Sequence, residues 1–371
     1  MNPVDLARPE IRALQPYSSA RMEASGGDVW LNANESPWPP YESEAAWNRY
    51  PDPQPRDLVR RLAELYGVES EQLLVGRGSD EGIDLLLRAF CAAGRDSILV
   101  SPPTFGMYAT CARVQGAHVV EAPLGRDFAL DVDAVLAAMT PAVKLVFVCS
   151  PNNPTGRGVP RADILRLAAA LEGLALLVVD EAYVEFIDPQ EPCGSVVDCL
   201  HECENLVVLR TLSKAWALAG VRIGSLLADA RVVTLLRKIM PPYPLPVPCV
   251  EVALRTLSDD GERAMRERVA IIRAERTRMR TALAGLACVG EVLPSQTNFL
   301  AVRFADAGVA YAELLEAGVV VRDVRRYPRL GNALRISLGT PAENDRVLDV
   351  LRGIPNAAAA RATDLHAELP A

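Results

Sequence analysis

Histidine is scarce: His118, His201 and His366 are the only three in 371 residues. They are too few and too separated in sequence to suggest a metal cluster or a Ser/His/Asp triad. If the chain is a catalyst, its proton-transfer group belongs to another residue type. No apolar run reaches the roughly 18 residues that a bilayer-spanning helix needs. The segment Met1 to Glu10 carries Asp5, Arg8 and Glu10 where an export signal would be apolar, so the expected location is cytoplasmic. A lysine-rich arm is also missing. With 39 Lys+Arg against 47 Asp+Glu, a net charge of −8 and a pI near 5.2, nothing marks a surface for neutralising nucleic-acid phosphates. The eight cysteines contain no Cys-x-x-Cys pair and read as reduced thiols. Cys199, His201 and Cys203 cluster locally, but a tetrahedral zinc site needs a second ligand pair at suitable spacing, so no metal is expected.

What is present is an ordinary globular composition, 50% apolar and 23% charged, long enough for two domains. Short β-branched runs alternate with amphipathic helical patterns, the signature of parallel strands joined by crossover helices. Strands are predicted at Leu73 to Val75, Ile98 to Val100, His118 to Glu121, Leu145 to Cys149, Ala175 to Val179, Leu206 to Arg210 and Ile223 to Leu227. Prolines at 241, 242, 244, 246 and 248 exclude a helix interior and read as a stiff connection near a domain boundary. A smaller α+β unit is expected beyond it: a long helix about Gly261 to Leu286, strands Asn298 to Arg303, Val319 to Arg322 and Ala333 to Leu338, and helices Gly308 to Glu316 and Pro341 to Arg352. The arginines from Arg263 to Arg280 are interleaved with Glu262, Glu267 and Glu275 and read as a solvated helix face. The fold class is α/β. The expected organisation is an arm with part of the small domain at 1–39, a large domain at 40–248, a small domain at 249–355 and a flexible tail at 356–371.

Three strand ends carry polar chemistry. Asp180 closes the apolar run Leu174 to Val179 and is followed by Glu181, Ala182 and Tyr183. Open α/β sheets place ligands at the carboxyl ends of their strands, although a helix cap or a turn would also use such an Asp. Ser150 to Gly156, reading Ser-Pro-Asn-Asn-Pro-Thr-Gly, follows the strand ending at Cys149, and its prolines and glycine make a fixed turn presenting two amides. Thr211-Leu212-Ser213-Lys214 follows the third strand, with Gly220-Val221-Arg222-Ile223-Gly224 shortly after. A lone lysine usually reaches solvent, but one flanked by Leu212, Ala215 and Trp216 is partly desolvated, which favours the neutral, nucleophilic amine and Schiff-base chemistry.

With these residues in order, the sequence resembles the pyridoxal-phosphate-dependent aminotransferases of fold type I. The likeness runs from Leu31-Asn32-Ala33-Asn34-Glu35 to Arg335-Ile336-Ser337. It implies a large domain with a mostly parallel sheet flanked by helices, a smaller α+β domain built from the chain ends, and a homodimer with shared sites. Further segments narrow it to the branch acting on L-histidinol phosphate: Pro16-Tyr17, Asn48 to Asp52, Ser101 to Tyr108, and Pro242-Tyr243-Pro244. By this resemblance Lys214 carries the pyridoxal phosphate and then moves the substrate proton, Asp180 pairs with the ring nitrogen, and Tyr183 and Asn153 bond the ring oxygen. Phe105 stacks on the ring where close relatives often have tyrosine. Arg222, Thr211, Ser213 and the helix start Gly78-Ser79-Asp80 hold the cofactor phosphate, and Tyr50 reaches the phosphate of the neighbouring subunit's cofactor. Arg335 receives the carboxylate of glutamate or 2-oxoglutarate, and Arg322 and Tyr17 help with the substrate phosphate. The imidazole pocket stays unassigned.

Other readings carry less. An aromatic-amino-acid aminotransferase or a threonine-phosphate decarboxylase would share the cofactor residues. An NAD-dependent dehydrogenase would rest on Gly76 to Glu81 alone, which lacks the last glycine of a dinucleotide loop. A non-enzymatic regulator would need an added DNA-binding domain, and too few residues precede Leu31 for one.

Overall fold

The computed structural model describes residues 2–17, 28–41 and 47–354; the expected tail at 356–371 lies outside the described residues. Seven strands, β1 (Leu73–Gly76), β2 (Ser97–Val100), β3 (His118–Glu121), β4 (Val143–Cys149), β5 (Leu176–Asp180), β6 (Leu206–Thr211) and β7 (Gly224–Ala228), form one sheet in the order β1-β7-β6-β5-β4-β2-β3. Strands β2 to β6 are mutually parallel, whereas β7 runs antiparallel to both β6 and β1.

Side chains alternate across this sheet and both faces are covered. In β5, Leu177 and Val179 enter the core on one face, and Leu176 and Val178 enter the core on the other. Each such burial contributes on the order of 1.5–3 kcal/mol. The even-numbered β5 face also packs against helix Ser79–Phe90, through Ile83, Leu86 and Phe90, and against Tyr108 of helix Met107–Gln115. By the same alternation Asp180 falls on that face, beside its register partner Cys149.

A second, antiparallel sheet is built from β8 (Val289–Val292), β9 (Phe299–Phe304), β10 (Arg322–Asp323) and β11 (Ala333–Ser337), in the order β10-β11-β9-β8. It packs on helix Asp259–Ala284 and on helices Ala307–Glu316 and Pro341–Arg352.

The structure departs from the sequence reading in four places. Helix Val247–Thr256 starts inside the proline stretch, with Pro246 as its cap and Pro248 in its first turn, where a missing N–H costs nothing. β8 carries Gly290 and is a half-exposed edge, so its hydrophobic pattern is faint. The segment expected as a strand from Val319 to Arg322 pairs only at Arg322 and Asp323. Arg276 is 3% exposed and leaves the solvated helix face to donate to the carbonyls of Phe186 and Thr297 and to Asp188. Val4, Leu6, Ala7 and Ile11 pack into the core of the large sheet, and Arg8 N donates to the Ala89 carbonyl at 3.0 Å.

At Gly224, the first residue of β7, a Cβ would lie 2.4 Å from the backbone of Gly78 and Ser79. Gly224→Ala is therefore expected to destabilise the protein by about 1–3 kcal/mol through overpacking. Gly290→Ala, whose methyl meets nothing nearer than 3.7 Å, is expected to stay within about 0.5 kcal/mol. Urea midpoints of the two variants measure the contrast.

Candidate active site

Parallel pairing puts the carboxyl ends of β2, β4, β5 and β6 on one edge of the large sheet. The two antiparallel pairings bring two more segments to the same edge. Thr211 pairs with Gly224, and Gly224 pairs with Gly76, so Arg222 and the start of helix Ser79–Phe90 lie beside Lys214. A cavity of about 300 Å³ opens there, lined by Ser79, Asp80, Phe105, Cys149, Asn153, Asp180, Ala182, Tyr183, Thr211, Ser213, Lys214, Arg222, Arg322, Tyr327 and Arg335.

Asp180 is 3% exposed. Its Oδ1 accepts from the Ala182 amide at 3.1 Å and its Oδ2 from the Tyr108 hydroxyl at 2.7 Å. Burial pushes its carboxyl up to about 6, against the pull of these two donors. Lys214 responds in the opposite direction. It opens onto the cavity, yet surrounding protein displaces water from it, and with help from the positive Arg335 and Arg222 its ammonium is held below its ordinary range. Its Nζ lies 5.6 Å from the centre of the Tyr183 ring, and the Tyr183 hydroxyl accepts from Asn153 Nδ2 at 3.5 Å.

A cradle for an anion forms at the other end. The helix begins after Gly78, whose φ of +85° suits glycine and turns the free amides of the first helical turn toward the cavity. The Arg222 guanidinium reaches Ser213 Oγ at 3.4 Å and Asp80 Oδ2 at 3.5 Å, and Ser213 N donates to Thr211 Oγ1 at 3.1 Å. The cation is thus placed by one hydroxyl, the Ala219 carbonyl at 3.3 Å and one long ion pair, with capacity left for a ligand.

The small sheet closes the third side. Arg322 and Arg335 are direct cross-strand partners on β10 and β11. Arg335 Nη1 donates to Asn153 Oδ1 at 2.6 Å and its guanidinium lies 5.2 Å from the centre of the Phe299 ring. Its Nε is buried with no hydrogen-bond partner among the described residues, a donor of the kind that a bound carboxylate satisfies. The turn holding Asn153 is docked against the entry to β9, where Gln296 N donates to the Gly156 carbonyl at 2.7 Å.

Of the residues singled out from sequence, Ser79, Asp80, Phe105, Asn153, Asp180, Tyr183, Thr211, Ser213, Lys214, Arg222, Arg322 and Arg335 line this one cavity. Gly78 supports it from behind Arg222. Tyr17 and Tyr50 do not reach it within the chain. Tyr17 is 71% exposed beside Pro16 and Lys238, and Tyr50 is 50% exposed and stacked on Tyr243 at 4.5 Å. Cys149, Ala182 and Tyr327 line the cavity without having been anticipated, and Tyr108 supports it. Tyr108 does lie within the segment Ser101 to Tyr108 singled out from sequence, but nothing there pairs it with a residue 72 positions away.

Residues 27–351 match the family model for aminotransferase class I and II. The chain belongs to this family. Histidinol-phosphate aminotransferase of Xanthomonas campestris pv. campestris is 54% identical to it over 354 residues, covering 94% of this chain and 97% of that one. Among solved structures, histidinol-phosphate aminotransferase from Sinorhizobium meliloti in complex with pyridoxal-5'-phosphate is similar, with a TM-score of 0.74 and 28% identity over 82% of each chain. L-threonine-O-3-phosphate decarboxylase from Porphyromonas gingivalis is similar as well, with a TM-score of 0.70 and 25% identity over 82% of this chain and 89% of that one. The cavity suits the cofactor that aminotransferases of this family use. An anion cradle, a partly desolvated lysine, a buried carboxylate and an aromatic side chain, Phe105, surround a single space.

The electrostatics of Asp180 can be measured on the cofactor-free protein. Its folded-state value near 6 lies above the ordinary 3.8, so the folded chain binds the proton more tightly. Its contribution to stability is therefore lost as pH rises from about 4 to 6. Asp180→Asn is expected to be more stable than the wild type by about 1–3 kcal/mol at pH 8, with the difference vanishing near pH 4. Denaturant titrations of both proteins at the two pH values check this.

Proposed function

We propose that this chain transfers the amino group of L-histidinol phosphate to 2-oxoglutarate, giving 3-(imidazol-4-yl)-2-oxopropyl phosphate and L-glutamate, as a step of histidine biosynthesis. The observation that carries the chemistry is the convergence of Asp180, Lys214 and Arg222 on one cavity. Support for the substrate comes from the paired arginines of β10 and β11 and from the 54% identity to the Xanthomonas enzyme.

Pyridoxal phosphate, when bound, supplies an electron sink for the carbon that carries the amino group. Lys214 would anchor it through its amine. Arg222, Thr211, Ser213 and the amides of Ser79 and Asp80 would hold its phosphate, Asp180 its ring nitrogen, Tyr183 and Asn153 its ring oxygen, and Phe105 one ring face. Lys214 Nζ then acts as the base. Desolvation and two neighbouring guanidinium groups weaken its hold on a proton, so it would be able to take one from the substrate carbon and pass it on to the cofactor side of the amine nitrogen. This is the work that the histidine-poor sequence assigns to another residue type.

Arg335 binds the carboxylate of glutamate and 2-oxoglutarate, and Arg322 the phosphate of histidinol phosphate. The two substrates occupy the site in alternate half-reactions, so one arginine pair serves both anions in a ping-pong cycle. Tyr50 and Tyr17 complete the site from a second copy of the chain in a homodimer, which accounts for their exposure here.

Lys214→Ala is expected to slow both half-reactions by about 10²–10⁴-fold, and Arg335→Lys to raise KM for 2-oxoglutarate about tenfold with a smaller effect on histidinol phosphate. Single-turnover assays with histidinol phosphate, phenylalanine and threonine phosphate decide the substrate. Histidinol phosphate should lead in kcat/KM, whereas preferred release of CO₂ from threonine phosphate would reassign the chain as a decarboxylase.

A further inference from the structure

Tyr108 stands behind the cavity wall and touches two of the residues that form it. Its hydroxyl donates to Asp180 Oδ2 at 2.7 Å. Its ring meets Phe105 edge-on, with centroids 5.5 Å apart at 83°, and lies flat against Phe147 at 4.7 Å and 14°. The side chain is completely buried, so both contacts are held in a fixed geometry and neither competes with water.

The hydroxyl has a specific mechanical consequence. The Ala182 amide holds Oδ1 of Asp180 at 3.1 Å, and one bond leaves the carboxylate free to rotate about Cβ–Cγ. A second bond to the other oxygen fixes the carboxylate plane. A hydroxyl–carboxylate bond is also among the stronger hydrogen bonds. Burial and the adjacent Asp180 and Cys149 raise the Tyr108 phenol well above its ordinary range, so it stays protonated and remains a donor. The ring contact is independent of the hydroxyl, since Phe105 meets the aromatic ring itself.

We propose that Tyr108 is a positioning residue for the pyridoxal ring, its hydroxyl orienting the carboxylate that would meet the ring nitrogen and its aromatic ring backing Phe105, against which the pyridoxal ring would rest. This role rests on the cofactor reading above and deepens it. One buried side chain links the two residues that would hold the ring, Asp180 at its nitrogen and Phe105 against one side.

The test uses the full chain stripped of cofactor and two ligands without an aldehyde, so that Lys214 cannot capture them. These are pyridoxamine 5'-phosphate and its analogue with carbon in place of the ring nitrogen. Tyr108→Phe keeps the ring packing and removes only the hydroxyl. It should raise the Kd of pyridoxamine phosphate about tenfold and leave that of the carbon analogue within about twofold. In an Asp180→Asn background the same change should have less than about a twofold effect on either ligand. Tyr108→Leu, which also removes the support of Phe105, should weaken both ligands. Circular dichroism and melting curves confirm that each variant is folded. Equal weakening of both ligands by Tyr108→Phe, or no weakening of either, would overturn the proposal while leaving the cofactor reading intact. A wild-type chain that binds neither ligand would overturn the cofactor reading and this role with it.

Discussion

The site is organised around a carboxylate kept out of water. Asp180 ends a strand whose other residues are fully apolar, and its position between β4 and β6 leaves it 3% exposed. An ionised carboxylate in such surroundings costs several kcal/mol unless donors meet it, and Tyr108 and Ala182 are the donors that do. The same loss of water acts on Lys214 with the opposite sign. It raises the proton affinity of the acid and lowers that of the amine, because in both cases it is the charged form that burial disfavours. A single physical cause thus prepares a carboxylate to pair with a cation and an amine to act as nucleophile and base.

The arrangement of sheets makes that desolvation possible without closing the site. The large sheet delivers the polar groups at one edge while its two faces are filled by apolar side chains. The small sheet contributes almost nothing to that core. It supplies Arg322, Tyr327 and Arg335 as a wall of two cations and one aromatic. Arg335 joins the two units through Asn153, so the residue expected to receive a carboxylate also touches the group expected to contact the cofactor. The formal charge of −8 therefore hides a local reversal, with three arginines gathered where phosphates and carboxylates must enter.

Much of the fold was legible because buried parallel strands read as continuous β-branched runs. The runs at 98–100, 145–149 and 206–210 each fall within about a residue or two of the observed strands. Legibility failed where the local signal was weak or shared. Pro248 looked like a helix breaker because its place in the first turn depends on where the helix starts, and β8 was faint because half of it faces solvent. Arg276 looked like its solvated neighbours on the same helix, and only the packing of that helix against the Phe186 and Thr297 carbonyls distinguishes it.

Local chemistry along the chain is enough to nominate Asp180, Lys214, Asn153 and Arg222, since each follows a strand end or a turn that a ligand-binding sheet edge would use. Distance in space is a different kind of information. The bond from Tyr108 to Asp180 spans 72 residues and that from Arg335 to Asn153 spans 182, and no periodicity within either segment encodes such a meeting. The antiparallel pairing of β7 with β1, which brings the start of helix Ser79–Phe90 to the edge where Lys214 and Arg222 stand, is likewise a property of strand order. Residue type and spacing settle which groups are available, while sheet topology and burial settle which of them meet and in what state of protonation.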